Sequence, residues 1–409
     1  MIKENGLIEP TTIWNKNFIC VMVANFLLCL AHFTVNPLVA TYVRYLGITD
    51  GAITGLLAGM FFGVALAMRP FTGSIVTKID KRKLLVFVFI LGAAANLGYA
   101  LFHNVFAFVA FRVVHGIQFS LIGLVLMTLA GDHLPKSRMI SGMGMFGIGG
   151  AVASAVAPAI GDALVRLGTN MRDESLGFTL MFLFGMVILA VAVVPTLILA
   201  PDSKTKEEAA STGVWYKNIL TRHAIPPAIV IFLMIMPHSM IQSYMFNFGD
   251  EQGIAGIGAF YLVLALTLAV SRPLSGALTD RFGLDKIMFP GLALAAVALF
   301  VIGSSSATWM VIVGAVIFAI GFGSSQPSIQ AMCMQTETPL RRGVAGNTLY
   351  IGLDLGLFLG PIIGGAVRNQ TDLAVMYKTS SSAFILAIIA FVIILPIYKR
   401  RLAALEELG

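Results

Sequence analysis

The sequence predicts an all-α membrane protein with twelve transmembrane helices. Its 409 residues are 58% hydrophobic and only 11% charged, whereas soluble domains carry about 25% charged residues. Uncharged segments such as 84–102 and 176–200 are long enough to cross the hydrocarbon layer, which takes about 20 residues of helix. Helices are expected because they satisfy their backbone polar groups internally, as lipid requires.

The predicted spans fall into two groups of six. A polar connection follows the sixth span, and we interpret residues 201–223 as a cytoplasmic linker between an N-terminal bundle, 1–200, and a C-terminal bundle with a short cytoplasmic tail, 224–409. The predicted spans are 18–40, 52–76, 84–103, 106–130, 140–163, 176–200, 224–247, 257–278, 287–304, 308–331, 343–367 and 376–398.

Basic residues predict the orientation in the membrane. Most of the 27 Lys and Arg residues flank the spans on the side of the N-terminus, and those at the opposite ends are Arg44, Arg166, Arg172, Arg368 and Lys378. Because positive charge favours the cytoplasmic side, we expect a multi-pass protein of the cell membrane with both termini in the cytoplasm. The asymmetry also explains the net charge of +7 without a nucleic-acid partner.

The two halves repeat each other. Arg69-Pro70-x-x-Gly73 recurs as Arg272-Pro273-x-x-Gly276. We therefore predict two pseudo-symmetric six-helix bundles, an arrangement that places a transported solute near the bilayer midplane. The spacing between Arg69 and Arg272 also relates Lys78 to Arg281, Arg138 to Arg341, Gly149 to Gly352, Pro158 to Pro361 and Gly161 to Gly364.

A loop motif carries a family resemblance. The segment from Gly276 to Lys286, GALTDRFGLDK, is similar to the signature G-x-x-x-D-R-x-G-x-x-K of the major facilitator superfamily. Its first copy starts at Gly73 and departs from the signature, with Thr77 at the acidic position and Asp80 at the second glycine. The resemblance covers nearly the whole chain and implies a monomeric transporter in the lipid bilayer.

Two further motifs resemble the export branch of this family. Arg112-x-x-His115-Gly116 resembles the R-x-x-Q-G motif of drug:proton antiporters, and GLFLGPIIGG at 356–365 resembles their glycine-proline motif. The resemblance implies alternating-access export of a small organic solute coupled to protons. Proton-coupled uptake or exchange of a small organic anion stays open as the alternative. Without a phosphate-loop, zinc-protease or serine-nucleophile motif, we expect neither an enzyme nor a cofactor.

Asp354 is the only carboxylate that we place deep within a span. Desolvation favours the neutral form of a carboxyl group, so Asp354 is a candidate for proton coupling. It shares a helical face with Tyr350 and Asn347, at spacings of four and seven residues. The alternative is a structural ion pair with an arginine on a neighbouring helix.

Arg112 is the second charged candidate, in the fourth span with His115 and Phe119 on the same face. A guanidinium keeps its charge inside a membrane, so it needs a carboxylate, a substrate anion or water beside it. The family resemblance implies that Arg112 takes part in proton coupling or solute contact, and we assign His115 to coupling as well. A structural ion pair is the alternative for Arg112.

Uncharged polar residues on the first, seventh, tenth and eleventh spans complete the predicted solute site. In the first span, Asn25, Cys29, His32 and Asn36 lie on one helical face, and Pro37 is expected to loosen the helix end. His32 is also a candidate proton carrier. The alternatives are a packing histidine and ordinary hydrogen bonds between helices. The predicted solute-binding residues are Asn25, His32, Asn36, Arg112, His238, Gln242, Gln326, Gln330, Asn347 and Tyr350.

Charged residues near the cytoplasmic ends of the spans form a predicted gate. Ion pairs there would form in one conformation and break in another, and thereby shift the population of the two. Extension of basic side chains to the membrane surface is the alternative. The predicted gate residues are Arg69, Lys78, Asp132, Arg272, Asp280 and Arg281.

Overall fold

The computed structural model describes residues 3–4, 7–8, 12–134, 139–200, 219–337 and 342–406. Eleven stretches of this part are long and apolar enough to cross a membrane, and Ala259–Arg272 is a shorter apolar helical stretch. Two-residue strands, β1 (Lys3–Glu4) and β2 (Leu7–Ile8), pair antiparallel at the start of the chain. The predicted all-α membrane architecture is therefore confirmed.

All twelve predicted spans correspond to helices, and one additional short helix extends the first. The helices are α1 (Lys16–Val35), α2 (Val39–Tyr45), α3 (Gly51–Lys78), α4 (Lys81–Leu101), α5 (Val105–Asp132), α6 (Met139–Met171), α7 (Glu174–Ile198), α8 (Ile225–Gln252), α9 (Ala259–Phe282), α10 (Leu284–Gly303), α11 (Thr308–Gln335), α12 (Arg342–Gln370) and α13 (Leu373–Glu406).

The first span is interrupted at Pro37. Helix α1 ends at Val35, a 3-10 turn covers Asn36–Leu38, and α2 follows directly. Proline lacks a backbone N–H and clashes with the carbonyl group four residues earlier, so a regular α-helix does not continue through it. The expected loosening at Pro37 is present.

One packing unit contains Met1–Val35 and Pro70–Gly213. Within it, α1 packs on α6 and α7, and α4 packs on α5 and α7. Apolar side chains of α1, α4 and α5 fill its core, including Phe18, Phe89 and Ile122, which are fully buried.

The second packing unit contains Asn36–Arg69 and Val214–Gly409. Here α8 packs on α12 and α13, and α10 packs on α11 and α13. These are the partners that the repeat predicts if α8, α10, α11, α12 and α13 are the counterparts of α1, α4, α5, α6 and α7. The packing therefore supports the predicted duplication.

The division by packing differs from the division at the linker, because residues 36–69 precede the linker and pack in the second unit. Glycines face α12 along α3: a Cβ atom at Gly55 would overlap the backbone of Pro361, and one at Gly59 would meet Phe358. Small residues let the backbones of two membrane helices approach closely. This close approach joins the first part of α3 to the second unit.

Asp50 caps the start of α3. Its Oδ1 accepts a hydrogen bond of 2.8 Å from the backbone N–H of Ile53, and its Oδ2 accepts one of 3.0 Å from Asn369 Nδ2. The hydrogen bond from Ile53, helped by that from Asn369, holds the pKa of the Asp50 carboxyl below its ordinary value. The cap therefore also connects α3 to the end of α12.

Candidate functional site

The second unit contains an ion pair between α3 and α12. Arg69 Nε lies 2.6 Å from Asp354 Oδ2, and Arg69 Nη2 lies 3.3 Å from Asp354 Oδ1. The side chain of Asp354 is 3% exposed and that of Arg69 is 13% exposed. Tyr350, one turn before Asp354, holds its ring centroid 5.0 Å from Arg69 Cζ. The two-point contact fixes the orientation of both groups.

The contact between Arg69 and Asp354 matches the predicted structural ion pair and is also compatible with proton coupling at Asp354. Asp354 does pair with an arginine on a neighbouring helix, as one interpretation of the sequence expected. Arg69, which we assigned to the gate, is that arginine. Protonation would neutralise Asp354 and remove its attraction for Arg69, so the pair is also suited to respond to a proton.

The first unit contains a cluster of Arg112, His115, Tyr99, His32 and Phe119, here called the arginine–histidine cluster. The ring of His32 stacks on that of Phe119, with centroids 5.2 Å apart and an interplanar angle of 18°. His115 Nδ1 lies 3.5 Å from the Tyr99 hydroxyl. Arg112 is 1% exposed, and its guanidinium interacts electrostatically with Tyr99. The predicted face of α5 therefore lies inside the unit.

The second unit repeats the histidine stack. The ring of His238 lies 4.6 Å from that of Phe322 at an angle of 19°, and 5.9 Å from that of Phe318. Gln242 Nε2 is 2.9 Å from His238 Nε2. His238 Nδ1 is buried and has no hydrogen-bond partner among the residues that the structure describes.

The two stacks occupy corresponding places in the repeat. The spacing that separates Arg69 from Arg272 also separates Phe119 from Phe322 and His115 from Phe318. His32 and His238 lie on α1 and α8, which have equivalent packing partners. Sequence reasoning selected both histidines and noted Phe119, but it missed Phe322, whose signal was the constant spacing.

Several predicted solute-binding residues make other contacts. Asn25 Nδ2 donates a 3.2 Å hydrogen bond to the Phe146 carbonyl, and Asn347 Nδ2 donates one of 2.8 Å to the Ile219 carbonyl. Both match the alternative of structural hydrogen bonding. Asn36 is buried in the 3-10 turn, and Gln330 is partly buried on α11.

The predicted gate residues separate into different contacts. Arg272 Nη2 donates a 2.9 Å hydrogen bond to Gln326 Oε1. Asp132 Oδ2 lies 3.3 Å from Nζ of Lys81, whose side chain is 0% exposed. The side chains of Lys78, Asp280 and Arg281 lie outside the described part of the chain.

A buried carboxylate that sequence reasoning missed is Glu337, which is 4% exposed. It accepts hydrogen bonds from Thr221 Oγ1 and from His223 Nδ1, the latter at 2.9 Å. Arg401 Nη2 lies 3.8 Å from its Oε2. Glu337 lies between two predicted spans, where carboxylates are common. Its partners are distant in sequence, so no local sequence pattern predicted that it would be buried.

In the described part of the chain, eleven helices are long and apolar enough to cross a membrane, and buried charged and polar side chains lie inside both packing units, which defines an integral membrane protein. Residues 21–271 and 228–407 match the family model described as Major Facilitator Superfamily. The chain therefore belongs to this superfamily and is a multi-pass membrane transporter, not an enzyme. The predicted family is confirmed.

Similar proteins include two from Staphylococcus aureus. The staphylopine export protein of strain Mu50 is 22% identical over 378 residues, covering 86% of this chain and 90% of the relative. The quinolone resistance protein NorA of strain MRSA252 is 23% identical over 419 residues, covering 96% of this chain and 99% of the relative.

A solved structure agrees in fold. A POT family transporter in complex with a thioalcohol-conjugated peptide superposes with a TM-score of 0.75 at 12% identity, covering 93% of this chain and 96% of that one. At this identity the likeness concerns the fold alone.

Proposed function

We propose that this protein exports a small organic solute in exchange for protons, with Asp354 as the proton-binding group. The observation that carries the proposal is the buried ion pair of Asp354 with Arg69, at 2.6 Å. A carboxylate inside a membrane protein is costly and marks a functional site by default. Among the described side chains, Arg69 forms the ion pair with this carboxylate, so a proton on Asp354 changes the charge balance of the pair.

Protonation of Asp354 would change the contact between α3 and α12. With Asp354 ionised, the pair joins α3 to α12 within the second unit. With Asp354 protonated, the attraction is lost and Arg69 is free to turn to other partners. The proton thereby shifts the population of two conformations, which is the requirement for alternating access.

We assign solute contact to the two histidine stacks and their polar neighbours. His238 Nδ1 and the arginine–histidine cluster offer hydrogen-bonding groups beside flat aromatic surfaces, the combination typical of small-molecule sites. The export direction is supported by the glycine-proline motif and by the two relatives named for export and for quinolone resistance. We further propose a monomer with both termini in the cytoplasm.

The test is flux in sealed vesicles that contain the purified protein, with an imposed pH gradient and a panel of labelled amphiphilic cations, anions and sugars. For any solute that the wild type moves, Asp354→Asn should abolish gradient-driven flux and leave solute binding in place. The matched control is Asp173→Asn, because Asp173 is an exposed cap of α7 and asparagine caps helices equally well. Full pH-driven flux in Asp354→Asn would overturn the proposal.

A second candidate function is proton-coupled uptake or exchange of a small organic anion. It is favoured by buried Arg112, whose guanidinium is the positive charge of the cluster that also contains His32 and His115. Vesicles should then accumulate a labelled anion, and Arg112→Ala should stop the accumulation. Arg166→Ala is the control, because Arg166 lies in an exposed ion pair.

A further inference from the structure

The first unit contains a second group of buried polar side chains beside the arginine–histidine cluster. Asn96 on α4 and Gln118 on α5 are each 1% exposed. Asn96 lies one turn before Tyr99, and Gln118 lies one turn after His115. These two residues, here called the amide pair, belong neither to the predicted solute site nor to the predicted gate.

The hydrogen bonds of the amide pair are incomplete. Asn96 Nδ2 donates a 2.9 Å hydrogen bond to the Gly92 carbonyl. Three other atoms, Asn96 Oδ1 and both Gln118 Oε1 and Nε2, are buried without a hydrogen-bond partner within the described ranges of the chain. More than about 90% of buried polar groups in proteins have a partner, so three such atoms on two helices that pack together require an explanation.

Two glycines let neighbouring helices approach these amide groups closely. A Cβ atom at Gly92 would lie 3.1 Å from Gln118 Cδ, and one at Gly185 would lie 2.8 Å from Asn96 Oδ1. Gly92 on α4 and Gly185 on α7 have no side chain, so the amide groups of Gln118 and Asn96 lie directly against the backbones of these helices. Gly92 contacts both members of the pair, because its carbonyl also binds Asn96.

We propose that internal water binds at the amide pair and extends the Tyr99–His115 contact into a proton relay. Burying an amide group without a partner costs about 1–3 kcal/mol, whereas a buried water typically makes about three hydrogen bonds. One water molecule can donate to Asn96 Oδ1 and to Gln118 Oε1 and accept from Gln118 Nε2. This matches the three orphan atoms in number and in kind.

The relay follows from the chemistry of the neighbouring groups. Water, the Tyr99 hydroxyl and the His115 imidazole each donate and accept hydrogen bonds, and Tyr99 and His115 lie within 3.5 Å. A proton taken up on one ring nitrogen of His115 is balanced by release from the other, so the ring ends unchanged. The amide groups only hold the water, so Asn96 and Gln118 are positioning residues.

Footprinting with X-ray-generated hydroxyl radicals tests the bound water, because radicals form from water next to the side chains that they modify. Tyr99 and Tyr377 are both 0% exposed and form a matched pair. We expect Tyr99 to be modified several-fold faster than Tyr377, and Gln118→Leu to remove the difference. Equal rates for Tyr99 and Tyr377 in the wild type would overturn the proposal.

Thermal stability gives an independent result. If the amide pair were dry, Gln118→Leu would replace an unsatisfied amide by an apolar group of similar size and would raise Tm. If the pair holds water, the same change removes two of its three contacts, and Tm should fall. A rise in Tm therefore contradicts the proposal.

The use of the relay in transport depends on the proposed proton coupling, but water binding does not. If the wild type shows no pH-driven flux, the proposed function fails while the footprint of Tyr99 remains interpretable. If flux is pH-driven, Gln118→Leu should slow it several-fold with unchanged solute affinity. Unchanged flux in a correctly folded Gln118→Leu protein would overturn the relay.

Discussion

Arg69 and Asp354 are 285 residues apart in the chain and meet within one packing unit through a 2.6 Å contact between Nε and Oδ2. The arginine belongs to the first sequence repeat and the carboxylate to the second. Their contact depends on the close approach of α3 to α12 at Gly55 and Gly59. Helix packing and the chemistry of the pair are therefore coupled.

The first prediction concerns exchange of the two charges. Asp354→Ala leaves the partly buried Arg69 without the charge of Asp354, and the loss of stability should approach the roughly 3–5 kcal/mol typical of a buried ion pair that loses one partner. The double variant Arg69→Asp with Asp354→Arg restores opposite charges and should recover part of this loss. Thermal unfolding in detergent measures both. The single variants Arg69→Asp and Asp354→Arg complete the cycle, and losses in them that add up to the loss in the double variant would contradict an energetic coupling between these residues.

The second prediction concerns the histidine stacks. Phe322→Leu removes the aromatic face beside His238 and should weaken solute binding about 2- to 10-fold, since an aromatic pair contributes about 0.5–1.5 kcal/mol. Isothermal titration with the transported solute provides the measurement. Phe106→Leu is the control, because Phe106 is 85% exposed. The same loss in both variants would show that the stack has no specific role.

The third prediction concerns the glycines of α3. A methyl group at Gly55 would overlap the backbone of Pro361, so Gly55→Ala should lower Tm, with overpacking costing about 1–3 kcal/mol. Gly123→Ala is the matched control: nothing described lies within 4 Å of a Cβ atom there, and alanine is the better helix former. Equal Tm values for the two variants would argue against the close approach of α3 and α12.

The fourth prediction concerns the dependence of stability on pH. The pKa of Asp50 is held below its ordinary value of 3.8 by the backbone N–H of Ile53 and by Asn369. The stability from its charge is therefore present at pH values above 3.8 and is lost as the pH falls through the lower pKa of the folded state. The wild type should exceed Asp50→Asn in Tm at pH 7, and the difference should disappear in strong acid. A difference independent of pH would contradict this.

The helices could be predicted from the sequence because membrane thickness fixes the length of an apolar span. The interruption at Pro37 could be predicted because it depends on the local chemistry of proline, and the duplication could be predicted because its matching residues have a constant spacing. The packing of residues 36–69 in the second unit could not be predicted from the sequence. The glycines of α3 were visible as small residues, but only the three-dimensional structure shows that α12 covers them.

The candidate site was predictable to the extent that it follows helical periodicity. Arg112, His115 and Phe119 share one face of α5 and lie in one cluster. The partner of Asp354 was not predictable, because three arginines, Arg69, Arg112 and Arg272, lie within predicted spans. Asn347 shares the face of Asp354 but lies about two turns nearer the start of α12, and there it binds the Ile219 carbonyl. Helical periodicity predicts which residues share a face of a helix, but it does not predict which residue of another helix each of them contacts.

The membership of residues 36–69 in the second unit has a consequence for dividing the protein. A fragment that begins after the linker carries α12 but lacks the glycine face of α3 that covers Pro361 and Phe358. Expressed alone, such a fragment would present an unmatched backbone groove and the carboxylate of Asp354 without Arg69. The sequence repeat therefore divides at the linker and the packing divides elsewhere, and a polypeptide with all of the second unit must start at or before Asn36.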